Sequence, residues 1–124
     1  MESRCHKLER LIEAFAADPD VRLIMDGIGS GMREQMISGL AGSSRQVMLA
    51  AIRRGLGRPM LVVTHNMFAA QKAAEDLQEC LSGDEVLLYP ANELVAAEAA
   101  ISSPETMAQR MDVLVKLSQG FRGV

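Results

Sequence analysis

Two periods alternate along the hydrophobic pattern of the chain. Apolar residues spaced three to four apart predict amphipathic helices over residues 4–17, from 19 to the glycines at 27–31, and over 45–56, 67–81, 92–101 and 104–118. Between the helices, residues 33–38 are a brief strand candidate, and the short apolar runs over 60–64 and 85–89 have the pattern of buried strands in a parallel sheet. We therefore expect an α/β fold in three layers, a mostly parallel sheet with helices on both faces.

Capping residues support the predicted helix ends. Asn66 precedes the helix at 67, and Ser103 followed by Pro104 has the pattern of an N-cap and a first helical position. Gly57 closes the helix before it. Residues 121–124 have the pattern of a further strand, so we expect the chain to be part of a longer protein.

The turn at residues 39–46 occupies the place of a phosphate-binding loop, between a predicted strand and a predicted helix. A functional loop has the pattern G-x-x-x-x-G-K-[ST], whose backbone N–H groups, lysine and hydroxyl bind phosphates and magnesium. Gly39 matches the first glycine, but Ser44, Arg45 and Gln46 stand where the second glycine, the lysine and the hydroxyl belong. An arginine is not equivalent to a lysine in such a loop, because its guanidinium is a broad planar fork. The pattern predicts a degenerate phosphate loop, with Gly42 and Ser43 as its remaining members.

Three readings of this loop follow. In the first, the loop is a non-catalytic remnant; the structural alternative to all three is an ordinary turn of small residues between a strand and a helix. An active NTPase would need a lysine and a Ser or Thr at positions 45 and 46. In a flavodoxin-like alternative, Ser43, Ser44 and Arg45 would hold a phosphate with hydroxyl and guanidinium groups.

Composition narrows the function classes. The 124 residues correspond to one domain, and 48% hydrophobic with 23% charged residues is ordinary for a soluble protein. The net charge of −3 gives no general attraction to nucleic acid. Two cysteines and two histidines predict neither a disulfide framework nor a metal site, and no run is long enough for a membrane span. We expect a reduced, cytoplasmic setting without membrane contact.

Three stretches resemble the amino-terminal region of bacterial transcription-repair coupling factors: GLAGSSRQVMLAA (39–51), RPMLVVTHNMFAAQKAAEDL (58–77) and LLYPANELVAAEAAISSPETMAQRMDVL (87–114). The resemblance implies a module similar to the core of the excinuclease B protein, which is a RecA-like, P-loop NTPase-like domain with, in this family, a degenerate ATP site. It gives an amino-terminal helical segment over residues 1–31 and a RecA-like α/β subdomain over 32–124, truncated at its carboxyl end.

The resemblance also carries expectations about partners and sites. Thr64, His65 and Asn66 look like a motif that touches single-stranded DNA in related helicases, although Asn66 is also explained as a helix cap. The parent protein would be an ATP-dependent DNA translocase that displaces stalled RNA polymerase. It would recruit the excinuclease A protein through an inserted domain beyond Val124. For this chain the resemblance implies a scaffold without catalytic residues, cofactor or metal, whose first partner is the rest of the parent chain.

Overall fold

A computed structural model describes residues 2–81, 85–91 and 103–124 of the chain, with side chains from His6 onward. Its regular elements are five helices: α1 (Glu2–Ala17), α2 (Pro19–Gly29), α3 (Ser44–Leu56), α4 (Met67–Cys80) and α5 (Pro104–Ser118). Each lies within a few residues of a helix predicted from the apolar period. The predicted helix over 92–101 lies outside the described residues, and the proposed domain boundary after residue 31 stays a prediction.

Local capping chemistry explains where the helices begin and end. The Asp18 carboxylate accepts the N–H groups of Asp20 at 2.9 Å and Val21 at 3.3 Å, so it starts α2 one residue after α1 has ended. The Ser103 hydroxyl accepts the Thr106 N–H at 3.2 Å at the start of α5. Gly57 ends α3 with φ of 61°, a left-handed conformation that glycine adopts without the strain of a Cβ.

The predicted three-layer α/β/α fold is wrong for the part of the chain that the structure describes. That part contains five helices and no strand, so its regular structure is helical throughout, and the RecA-like sheet expected over residues 32–124 is absent from it. The apolar runs predicted as strands do not form the repeated backbone ladder that defines a sheet. In the run over 60–64, the Leu61 and Val63 side chains are exposed, so the apolar composition specified neither burial on both faces nor which neighbour supplies the hydrogen bonds.

Isolated backbone hydrogen bonds nevertheless hold three of these runs side by side. The Met60 N–H donates to the Gly123 carbonyl at 3.0 Å. Val124 donates to the Glu85 carbonyl at 2.7 Å and accepts from the Leu87 N–H at 2.8 Å. Residues 121–124 thus lie between residues 60–64 and residues 85–89.

The core lies on the helical side of these segments. Helices α1 and α3 are central, because they contact each other and each contacts both α2 and α4. Small residues allow this close approach: Ala50 and Ala51 are essentially inaccessible to solvent and pack with Ile12 and Leu77. A second cluster joins α2 to α3 through Val21, Met48 and Ile52.

Two arginines at the end of α3 fix the carboxyl-terminal segment and the end of α4. The Arg53 guanidinium donates to the Arg122 carbonyl at 2.6 Å and lies 3.6 Å from the Glu85 carboxylate. Arg54 donates to the Cys80 carbonyl at 2.8 Å. Cations in the last turn also complement the negative end of the α3 dipole.

Helix α5 is attached differently from the other four. Among the described residues it makes no close contact with another helix. Its Arg110 guanidinium donates to the Pro90 carbonyl at 3.0 Å and lies 4.6 Å from the centre of the Tyr89 ring. Val113, a residue of α5 itself, is buried. The helix is therefore held by the segment 88–90 rather than by ridge-and-groove packing against other helices.

Candidate functional site

Residues 39–46, predicted as a degenerate phosphate loop, form a tight turn that leads directly into α3. Gly39 and Gly42 have φ of 85° and 55°, so both occupy left-handed conformations that favour glycine. Ser43 is the N-cap residue of α3, but its side chain makes no capping hydrogen bond to the helix. The two glycines are thus explained by the turn itself, whether or not a phosphate was ever bound there.

Both loop hydroxyls are engaged within the protein. The Ser43 hydroxyl donates to the Asp76 carboxylate at 2.9 Å, across to α4. The Ser44 hydroxyl donates to the Ala41 carbonyl at 2.5 Å. The other Asp76 carboxylate oxygen accepts from the Lys72 ammonium at 3.1 Å. The loop therefore holds the chain's own carboxylate beside the start of α3.

The electrostatics of this corner are acidic. The hydrogen bond from Lys72 to Asp76, and then the negative charge of Asp76, raise the pKa of the exposed Lys72 ammonium, so this lysine stays protonated. Glu75 and Glu79 add negative charge on the same helix. A phosphate approaching the loop would meet a carboxylate that is already in place, and like charges repel at such separations.

Arg45 and Gln46, the replacements for the lysine and the magnesium ligand, do not join this cluster. Arg45 is exposed and makes no hydrogen bond or ion pair with the described residues. Gln46 is half-buried, and its side-chain oxygen has no hydrogen-bond partner in the described part of the chain. The structure thus brings together Ser43 and Asp76, and it leaves Arg45 and Gln46 apart from them.

The second predicted site, residues 64–66, is built as the start of α4. The Asn66 side-chain oxygen accepts the Ala69 N–H at 2.8 Å, which confirms the predicted N-cap. The Thr64 hydroxyl donates to the Asn66 carbonyl at 3.1 Å, and His65 is exposed. Asn66 and Asp76 are ten residues apart along α4, or about 15 Å, so the two predicted sites are separate.

Residues 64–66 form the polar rim of an apolar cavity of about 340 Å³. Residues 61–63 form one wall and residues 86–89 form the other, while Val124 lies between them. The floor is provided by α4, mainly by Ala70, Ala73 and Leu77. We call this space the α4 cavity. No Asp, Glu, Lys or Arg of the described ranges lines it, so these residues provide neither a charged catalytic group nor an ionic anchor there.

The sequence analysis did not predict Asp76 and Lys72 as site residues. Both lie on α4 and belong to the hydrogen-bonded cluster beside the loop. Their spacing of four on a predicted helix indicates an ion pair, which the structure contains. Nothing in the sequence indicated that Asp76 also reaches Ser43, 33 positions away. Among the residues with described positions, no group of three or more His, Cys, Asp or Glu could hold a metal ion. In the same residues no helix has the length and hydropathy needed to span a membrane.

Comparisons with known proteins point to one family. The chain is 43% identical over 110 residues to the transcription-repair-coupling factor of Bacillus subtilis strain 168, a match that covers 88% of this chain and 9% of that protein. It is 28% identical over 94 residues to the transcription-repair-coupling factor of Staphylococcus aureus strain USA300, which covers 76% of this chain and 8% of that protein.

No protein-family model and no solved structure matches the chain. The chain spans less than a tenth of the length of the relatives it matches, so the likeness extends over one part of a much larger protein. Identity of 43% over 88% of the residues is nevertheless enough to settle descent. The chain belongs to the transcription-repair-coupling factor family.

Proposed function

We propose that this chain is a non-catalytic scaffold module of a transcription-repair-coupling factor, acting in transcription-coupled nucleotide excision repair. The observation that carries the proposal is the hydrogen bond from Ser43 to Asp76. A loop hydroxyl that could otherwise meet a phosphate is engaged by an internal carboxylate. With Arg45 and Gln46 in place of the lysine and the magnesium-binding hydroxyl, no residue of the loop supplies the chemistry of phosphoryl transfer.

The rest of the proposed role concerns the parent protein. By family likeness, the parent is an ATP-dependent DNA translocase of the cytoplasm that displaces stalled RNA polymerase and recruits the excinuclease A protein. Each of these activities would reside outside residues 1–124, and this module would support the domains that carry them. DNA contact by Thr64, His65 and Asn66 stays a prediction, since the helix cap accounts for the placement of Asn66.

The two other readings of the loop each need something that Asp76 opposes. An NTPase site needs a lysine that reaches the β- and γ-phosphates and a hydroxyl on magnesium. Lys72 beside the loop is paired with Asp76, and position 45 holds the broad guanidinium of an arginine instead of a lysine. A phosphate binder of the flavodoxin type would use the hydroxyls of Ser43 and Ser44 together with the Arg45 guanidinium. Both hydroxyls already donate within the protein, which leaves the exposed Arg45 alone available to a phosphate. A scaffold needs neither a cation that faces a phosphate nor a loop hydroxyl that is free to bind one.

Titration calorimetry of the 124-residue chain with Mg-ATP, and separately with inorganic phosphate, tests the proposal. We expect no binding at micromolar ligand concentrations in either titration. Arg45→Ala is the informative variant, and Arg58→Ala is its control, because Arg58 is also exposed but lies outside the loop. Micromolar binding of ATP that disappears in Arg45→Ala and persists in Arg58→Ala would overturn the proposal. Binding of phosphate alone with the same dependence would favour the flavodoxin-like reading instead.

A further inference from the structure

A polar groove separates α5 from α4. Its volume is about 450 Å³, and the segment 86–88 forms its floor. Both helices line it with polar side chains: Gln71, Glu75 and Gln78 from α4, and Gln109 and Asp112 from α5. The three α4 residues share one helix face, because they follow one another at spacings of four and three. We call this space the α4–α5 groove.

The side chains of the groove present hydrogen-bond acceptors on both walls. In the described part of the chain, the Glu75 carboxylate makes no hydrogen bond or ion pair. Asp112 uses one carboxylate oxygen, Oδ2, for the Lys116 ammonium at 2.9 Å, which leaves its other oxygen available. The Gln109 amide nitrogen donates to the Leu88 carbonyl at 3.4 Å, so the side-chain oxygen of Gln109 is also available to a donor.

The floor adds a backbone acceptor. The Leu87 N–H donates to Val124 at 2.8 Å, whereas the Leu88 carbonyl accepts from Gln109 on the opposite side of the segment. Backbone groups of successive residues in an extended segment alternate between its two sides, so the Val86 carbonyl lies on the groove side. Among the residues with described positions, this carbonyl has no hydrogen-bond partner. The groove therefore offers acceptors from two helices and from the backbone between them.

We propose that the α4–α5 groove binds an arginine side chain carried by a segment of a partner protein. A guanidinium has five N–H donors in one plane and no acceptor, so it suits a site that presents acceptors from several directions. Its positive charge complements the carboxylates of Glu75 and Asp112, which would repel a phosphate group. A lysine suits the groove less well, because its ammonium is a compact point charge with three donors.

Nuclear magnetic resonance of the nitrogen-15-labelled 124-residue chain tests the inference. The probe is the acetylated and amidated tripeptide Gly-Arg-Gly, and Gly-Lys-Gly with the same blocked ends controls for charge. We expect the arginine peptide to shift the side-chain amide signals of Gln71, Gln78 and Gln109 saturably, with an affinity about fivefold above that of the lysine peptide. Equal affinity for the two peptides, shifts that do not saturate, or shifts elsewhere on the surface would each overturn the inference.

Isosteric variants test the two carboxylates. Glu75→Gln and Asp112→Asn should each weaken binding of the arginine peptide about fivefold, because each removes a charged acceptor. Both residues are exposed on helices, so the fold should be unchanged. Glu79→Gln is the matched control, since Glu79 is also exposed on α4 but does not line the groove, and it should bind like the wild type. Wild-type affinity in both groove variants, or equal weakening in Glu79→Gln, would overturn the inference.

A change of opposite sign completes the test. Lys116→Ala releases the Asp112 carboxylate from its ion pair and should strengthen binding of the arginine peptide about twofold. Lys7→Ala alters the net charge equally on α1 and should have no such effect. A Lys116→Ala chain that binds no more tightly than Lys7→Ala would overturn the assignment of Asp112 to the site. The Mg-ATP and phosphate titrations report on residues 39–46 instead, so the scaffold role and this inference can fail independently.

Discussion

Gly123 should be one of the least replaceable residues in the chain. A Cβ at this position would clash with the Glu85 carbonyl oxygen and the edge of the Phe121 ring, and would lie 2.7 Å from the Glu85 carbonyl carbon. Two of these atoms belong to the backbone, so they cannot move aside as the end of a flexible side chain can. Gly123→Ala therefore forces the segment 121–124 either to shift or to leave its place between the two neighbouring segments.

The loss of stability can be estimated for either outcome. Overpacking with a backbone shift costs about 1–3 kcal/mol. Detachment would remove three backbone hydrogen bonds, those of Met60, Leu87 and Val124, at about 1 kcal/mol each. We expect Gly123→Ala to lower the free energy of unfolding by about 2–3 kcal/mol, which for a chain of this size is a fall in melting temperature on the order of 10 °C.

Urea and thermal unfolding followed by far-ultraviolet circular dichroism measure this loss. Gly29→Ala is the matched control: a Cβ there meets nothing within 4 Å, φ is not positive, and the residue lies in α2, where alanine is favoured by about 0.5–1 kcal/mol. A Gly123→Ala chain as stable as the wild type would show that the close approach of Gly123 to Glu85 does not contribute to the folded state, and the reasoning would fail.

Two further predictions concern α4. Asn66→Ala should lower the free energy of unfolding by about 1 kcal/mol through loss of the cap on the Ala69 N–H, while Asn66→Ser should retain most of it; urea midpoints compare the two, and equal midpoints for the wild type and Asn66→Ala would refute the cap. Burial, and then the charges of Asp76 and Glu79, raise the pKa of the Cys80 thiol above its usual 9.0. Because the unfolded chain releases this proton first, the contribution of Cys80 to stability should be constant below about pH 9 and should fall as the pH rises further. Cys80→Ala should fall less steeply over that range, and parallel curves for the two proteins, both carrying Cys5→Ser, would contradict the assignment.

The helices could be predicted because their signals are local. The apolar period and the capping residues each act within a few residues of the helix end that they define. These capping residues are Asn66, Gly57 and the pair Ser103-Pro104. The presence or absence of a sheet could not be predicted in the same way, because the run over 60–64 has the composition of a buried strand whether or not a neighbouring segment pairs with it. Whether a backbone hydrogen-bond ladder forms there was therefore not predictable from the sequence.

The same distinction between local signals and long-range contacts applies to the candidate site. The turn glycines and the missing lysine can be recognised from spacing alone, because a phosphate loop is a contiguous motif. The carboxylate that meets Ser43 comes from a different helix, and its place depends on how α3 and α4 pack through residues such as Ala50 and Leu77. Such a contact requires three-dimensional information. The sequence therefore predicted what the loop lacks, but not what it binds in place of a phosphate.

The attachment of α5 has a consequence for how the chain tolerates change in length. Arg110 binds the Pro90 carbonyl and Gln109 lies 3.4 Å from the Leu88 carbonyl, so the segment just before residues 92–102 and the helix just after them are fastened together. These bonds come from residues 88–90 and from α5 themselves, so a change in the number of residues between the two fastened ends would leave both bonds geometrically possible. In the described part of the chain, helices α1 to α4 make no close contact with α5, so they should be disturbed least by such a change.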